Sequence, residues 1–308
     1  MARKIKDYIF IGLKGLGMGA ADVVPGVSGG TIAFISGIYE EFITSLKSID
    51  LNALQLLFKE GIGAFWKKIN GNFLVALFAG IFVSILSLAK LITFLLEEYP
   101  VQLWSFFFGL IVASCITIGA KIRKWNAGTI IALIAGTAIA YYITIAAPAE
   151  TSESLGFVFL SGAIAICAMI LPGISGSFIL LLMGKYRFIL DSISAFDIKV
   201  LVTFALGCAT GLISFSHLLS WMFKRFHDLT VALLTGFMIG SLNKVWPWKI
   251  TTQFRTNSHG EEVPFLQESV LPMDFPGESY VVWAIALMVL GFLLIASLER
   301  VNRKRSQV

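Results

Sequence analysis

Two short stretches carry residue types that could hold an anion: Pro25-Gly26-Val27-Ser28-Gly29-Gly30-Thr31 and, 147 positions later, Pro172-Gly173-Ile174-Ser175-Gly176-Ser177-Phe178. Each sets a proline, which ends a helix, ahead of glycines that allow a sharp turn and close approach of the backbone. Hydroxyls follow. Ser28 or Thr31 in the first stretch, and Ser175 or Ser177 in the second, can cap a helix that resumes after the turn. The resumed helix presents its first N–H groups and the positive end of its dipole, which suits a phosphate. The expected binding residues are therefore Gly26, Ser28, Gly29, Gly30 and Thr31 in one turn and Gly173, Ser175, Gly176 and Ser177 in the other. Taken singly, either stretch could equally be a place where small residues let helices pack closely.

The recurrence argues for more. Gly37 and Tyr39 fall on Gly184 and Tyr186 at the same offset of 147; further on, an offset of 127 aligns Gly80 with Gly207, Ser87 with Ser214, Lys90 with His217 and Gly109 with Gly236. The chain reads as a duplication with one insertion, and a glycine-rich break at matching places in two apolar halves points to a binding site near the middle of a membrane.

Hydrophobic residues make up 57% of the chain and charged residues 14%, the balance of an integral membrane protein. Apolar stretches long enough to span lie at 73–96, 103–120, 127–146, 200–223, 229–245 and 280–298. The formal charge of +5 is spread over the ends of these stretches, which fits membrane topology and argues against a nucleic-acid partner. If the 8–46 region crossed once, every later loop would break the positive-inside rule; as a hairpin entering and leaving on the cytoplasmic side, it puts Lys47, Lys67, Lys68 and Arg123 inside and Glu97, Glu98, Glu150 and Glu153 outside. A second hairpin at 155–193 then enters from the outer side, the 246–279 loop lies outside, and both termini are cytoplasmic. The expected fold is an all-α polytopic membrane protein with an inverted-topology repeat, residues 1–150 and 151–308. Each half is a re-entrant helical hairpin plus three transmembrane helices. Because the 160–170 run matches the N-terminal one mid-chain, the N-terminal run is expected to belong to the folded protein rather than to a cleaved leader. Cys115, Cys167 and Cys208 lie in apolar runs without metal-ligand spacing and read as packing residues. The 47–72 insertion resembles an interfacial helix, and the proline-bearing outer loop reads as mostly irregular.

Ionisable residues within apolar segments are functional candidates by default. Asp22 precedes the first turn and aligns with Met169, so its role is not shared by the second half. With Glu40 and Glu41 it forms the set of candidates for carrying a coupling proton or ion. Lys90 and His217 match under the repeat and are expected to hold the phosphate during passage, while Lys185 and Arg187 close the second hairpin on its outer side, where a pair of cations would attract a phosphate headgroup.

The paired Pro-Gly-hydrophobic-Ser-Gly motifs, each with Gly-x-Tyr eight residues beyond the serine-glycine pair, resemble the PopT-type polyprenyl-phosphate translocase family over nearly the whole chain. The resemblance implies a lipid translocase, not an enzyme. It implies that undecaprenyl phosphate is returned from the outer to the inner leaflet of the bacterial cytoplasmic membrane for reuse in envelope synthesis. No cofactor or metal is expected, and the oligomeric state stays open. Polyprenyl-pyrophosphate phosphatases have a similar motif, but theirs continues into an arginine where Gly29 and Gly176 stand here, and no histidine follows either copy. Phosphoryl transfer without nucleophile, base or arginine is implausible. A small-anion transporter or channel fits the turns as well as a lipid translocase does.

Overall fold

The computed structural model describes residues 3–24, 27–149, 151–256 and 262–306. Pro25, Gly26 and Glu150, named above, lie outside the described residues. The first half runs through α1 (Ile5–Val23), α2 (Gly29–Ile35), α3 (Tyr39–Lys47), α4 (Leu51–Glu60), α5 (Ile62–Lys68), α6 (Gly71–Glu98), α7 (Pro100–Gly119) and α8 (Ala127–Ile145). The second runs through α9 (Leu155–Ile170), α10 (Gly176–Leu182), α11 (Tyr186–Ser194), α12 (Ile198–Arg225) and α13 (His227–Ser241). A strand pair, β1 (Lys249–Thr256) and β2 (Glu262–Ser269), then leads to α14 (Val281–Ser306).

Helix boundaries repeat at the spacing of the sequence. α2 and α10, and α3 and α11, begin and end 147 residues apart; α6 and α12 begin and end 127 apart. The arm after each turn is two short helices rather than one, because the chain bends at Gly37 and Gly184, whose φ angles of 74° and 63° favour glycine.

Helix pairing repeats too. α1 lies along α6 and α9 along α12, while α7 packs on α14 and α8 on α13. Glycines set the close approaches at equivalent points. A Cβ on Gly80 would strike the Gly12 carbonyl of α1, and one on Gly207 would strike the Phe159 carbonyl of α9, 147 residues on. With lipid outside and no hydrophobic drive between helices, such small-residue contacts are what hold spans together.

Among the described residues α6, α7, α8 and α12 are long and apolar enough to cross a membrane. α13 is shorter than the expected 229–245 span: its helix stops at Ser241 and the chain passes into hydrogen-bonded turns, Lys244 N–H to Ser241 and Val245 N–H to Leu242. The expectation of an irregular outer loop is corrected, since β1 and β2 pair antiparallel there. The run Lys-Ile-Thr-Thr-Gln-Phe has the β-branched and aromatic content of a strand. Pro264 is tolerated because a two-stranded sheet has only edges. The insertion is two helices broken at Gly61 (φ 86°), with Leu51, Phe58, Ile62 and Trp66 exposed.

Side-chain contacts define two ends of the molecule. At one, Arg3 beside the start of α1 makes paired 2.6 Å bonds to both oxygens of Glu41, and Asn70, just before α6, donates to the same carboxylate at 2.7 Å. Glu40 stands 3.4 Å from His227, and the Lys124 N–H donates to Asp228. At the other, the Ala149 N–H donates to the Leu182 carbonyl and Asn243 to the Thr144 hydroxyl, while Trp248 Nε1 donates to the Ser279 carbonyl.

Candidate functional site

The two glycine turns meet. Ser28, N-cap of α2, uses its hydroxyl twice: it accepts from the Gly30 N–H and donates to the Met169 carbonyl near the end of α9, both at 3.0 Å. From the other side the Gly173 N–H donates to Thr31 Oγ1 at 2.9 Å. Backbone left unpaired at membrane depth costs several kcal/mol per group, so irregular segments persist only where something satisfies them. Here each turn serves the other. The fit leaves no room for side chains: a Cβ on Gly30 would land on the Ile170 carbonyl oxygen, and Gly173, at φ 85°, faces the Phe237 carbonyl and the Ser241 hydroxyl. Ser28, Thr31 and Ser175 are buried.

Free helix-end N–H groups were expected at both turns, and the first corrects that. The Gly29 N–H donates to Asp22 Oδ1 at 2.7 Å, so a carboxylate from the preceding helix already occupies the place of an anion. The second turn has no such group. Met169 replaces Asp22, α10 has no side-chain cap, and the Ser175 and Ser177 hydroxyls bond each other at 2.9 Å.

The charged candidates are not gathered at the turns. Lys185 is corrected from an outward cation to a buried one, its ammonium donating to the Thr151 carbonyl at 2.9 Å between the Phe157 and Phe188 rings. Arg187 is exposed and pairs with Asp191 one turn on, at 3.7 Å. His217 Nδ1 donates to the Ile213 carbonyl of its own helix at 2.8 Å, and Lys90 is exposed on α6. Glu40 and Glu41 lie at the Arg3 end, where Glu40, Glu41, Ser45, Lys68 and Asn70 border a cavity of about 290 Å³. Arg123, Lys124, Asn126, His227 and Asp228 border a neighbouring one of about 600 Å³. Among the described residues, Asp22 is the ionisable candidate bonded to a turn.

Lys14 was missed. It lies on α1 two helical turns before Asp22, and its ammonium donates to the Ser36 carbonyl at the end of α2, at 2.8 Å. A lysine inside an apolar run on the face of Asp22 was the available signal. Lys244 and Lys249, near the second turn, were also passed over. The cysteine reading agrees with the packing: Cys167 and Cys208 direct their thiols to the Gly211 and Gly162 carbonyls across the α9–α12 contact.

A family model described as undecaprenyl phosphate translocase-like matches residues 18–263. A polyprenyl-phosphate transporter of Vibrio cholerae serotype O1 is 47% identical over 308 residues, covering 99% of this chain and 100% of the relative. A protein of the same name from Staphylococcus aureus is 32% identical over 253 residues, 76% of this chain and 85% of its own. No solved structure matches.

Proposed function

Since the chain belongs to the undecaprenyl phosphate translocase-like family, we propose that it moves a polyprenyl phosphate from the outer to the inner leaflet of the bacterial cytoplasmic membrane, returning the carrier for reuse. What carries this reading is the seam of hydrogen bonds between the two glycine turns, Ser28 to Met169 and Gly173 to Thr31, in a chain whose relatives are named for transporting this lipid. Parting of the two halves on one side at a time frees the backbone N–H groups and hydroxyls of the seam to hold the phosphate, those of 173–177 and, where Asp22 gives up the Gly29 N–H, those of 28–31.

The repeat at 1–150 and 151–308 is supported by the recurring helix boundaries and glycine contacts. Its inversion is supported by the ends: α6 starts beside Glu41 and runs 28 residues, about 42 Å, away from that end, whereas α12 finishes there, with Lys47 bonded to Ser220. Re-entrance is supported because α1 and α3 both begin at the Arg3–Glu41 pair, and the Gly184 bend returns to Ala149 and Thr151, ahead of α9. The end bearing Arg3, Lys68, Arg123, Lys124, Lys224 and Arg225 is then cytoplasmic. Asp22, bonded to the first turn, is the best placed carrier for a coupling proton.

The test is transport by purified protein in proteoliposomes, reading the loss of a fluorescent short-chain polyprenyl phosphate from the outer leaflet. Faster loss than in protein-free vesicles, with no acceleration of the corresponding free alcohol, is expected. Equal rates with and without protein contradict the reading.

A further inference from the structure

Two adjoining lysines, the first of them against the helix that follows the second glycine turn, have no part in the hydrogen bonds of either turn. Lys244, just beyond α13, holds its ammonium 4.4 Å from the centre of the Phe178 ring, and Phe178 follows Ser177 in α10. Lys249, which opens β1, sets its ammonium 3.7 Å from the centre of Trp104 on α7 and donates to the Lys244 carbonyl at 2.9 Å. Both are half-buried. Ser241, three residues before Lys244, is the group against which Gly173 packs. One continuous segment thus links the second turn, the two ammonium groups and the aromatic end of the molecule.

Two like charges set side by side against aromatic rings are unfavourable, and among the described residues neither has a carboxylate partner. Burial, with the Lys244 charge beside it, holds the Lys249 ammonium well below the usual lysine range. The ring faces offset part of this cost, and an anion would offset the rest. Topology gives no reason for the pair, because the positive-inside rule disfavours lysines at the end proposed to face outward.

We propose that Lys244 and Lys249 form a capture site for a phosphate monoester headgroup, walled by Trp104 and Phe178 and opening toward the second glycine turn. The site rests on the transport reading for the identity of its lipid. Lysine ammonium groups bind phosphate as point charges without demanding planar geometry, which suits a headgroup that must be passed on.

The test is binding to the full chain in lipid nanodiscs, with farnesyl phosphate, farnesol and inorganic phosphate as probes. K244Q and K249Q should each weaken farnesyl phosphate binding about tenfold, the loss of one charge-assisted contact, while K244R and K249R retain it. In the unaltered protein, farnesyl phosphate and not farnesol should protect both lysines from reductive methylation, read by peptide mass spectrometry, so the outcome does not depend on a variant folding. Inorganic phosphate bound as tightly, with the same lysine dependence, supports the site and assigns it to the free ion. Wild-type affinity in both glutamine variants, or no protection, overturns the site even if transport is observed. Lysine-dependent anion binding without any lipid transport keeps the site and removes the transport reading.

Discussion

In the first glycine turn a carboxylate stands ready at the helix end: Asp22 accepts the Gly29 N–H, and Ser28 accepts the next one. In the second, Met169 fills that place, the serines bond each other, and the Lys244 ammonium, beyond α13, stands 4.4 Å from the centre of the Phe178 ring. The two turns thus differ in electrostatics although the helices that follow them have equal lengths, bend at matching glycines and leave the turns in contact with each other. The difference teaches that matching backbone geometry need not extend to chemistry: the first turn is capped by a carboxylate from the helix before it, whereas the second has the Lys244 ammonium over the Phe178 ring of the helix after it.

The largest effects should come from filling the shared seam. Gly30→Val drives a side chain into the Ile170 carbonyl across the seam, and Gly176→Val into the Ala165 carbonyl. Backbone cannot yield as a flexible side chain can, so both should abolish transport in the vesicle assay at normal expression. Gly29→Val first meets the Asp22 carboxylate, a side chain that can swing away, and should leave measurable transport. If all three variants were equally active, the seam would play no part.

Next comes the asymmetry itself. Asp22→Met gives the first turn the residue of the second and leaves the Gly29 N–H without its acceptor, a loss of roughly 1–3 kcal/mol. Asp22→Asn keeps an acceptor and removes the charge. The account expects Asp22→Met to lower both thermal stability and transport, and Asp22→Asn to lower transport with stability nearly unchanged. Transport unaffected in Asp22→Asn would confine Asp22 to capping.

Smaller effects follow from single bonds. Thr31→Val removes the acceptor of the Gly173 N–H while keeping shape, and Ser28→Ala removes a cap; each should cost about 1 kcal/mol of stability in denaturation. Smallest of all are Arg187→Ala and His217→Ala, expected to change transport less than about twofold, since an exposed i,i+4 pair contributes little and His217, among the described residues, bonds its own helix.

Much of this architecture was legible from spacing alone. The offsets of 147 and 127 anticipated where α2, α6, α10 and α12 begin, and the aligned glycines Gly80 and Gly207 mark helix contacts because close packing demands them. The apposition of the turns was not legible, for it depends on how two segments 147 residues apart in sequence meet. Neither was the burial of Lys185 between Phe157 and Phe188, since a lysine at a bend reads as solvated until the neighbouring rings are placed. Lys244 and Lys249 were hidden for a related reason: the strand β1 that presents Lys249 to Trp104 lies in a proline-bearing loop that reads as irregular.

Photo-crosslinking tests the central claim most directly. A polyprenyl phosphate analogue carrying a diazirine beside the phosphate would be activated on the protein in membranes, and the labelled peptides sequenced. The account predicts label in 27–31 and 173–178, suppressed by excess undecaprenyl phosphate. Label confined to the outer faces of α6, α8 and α12, with both turns unmodified, would contradict it.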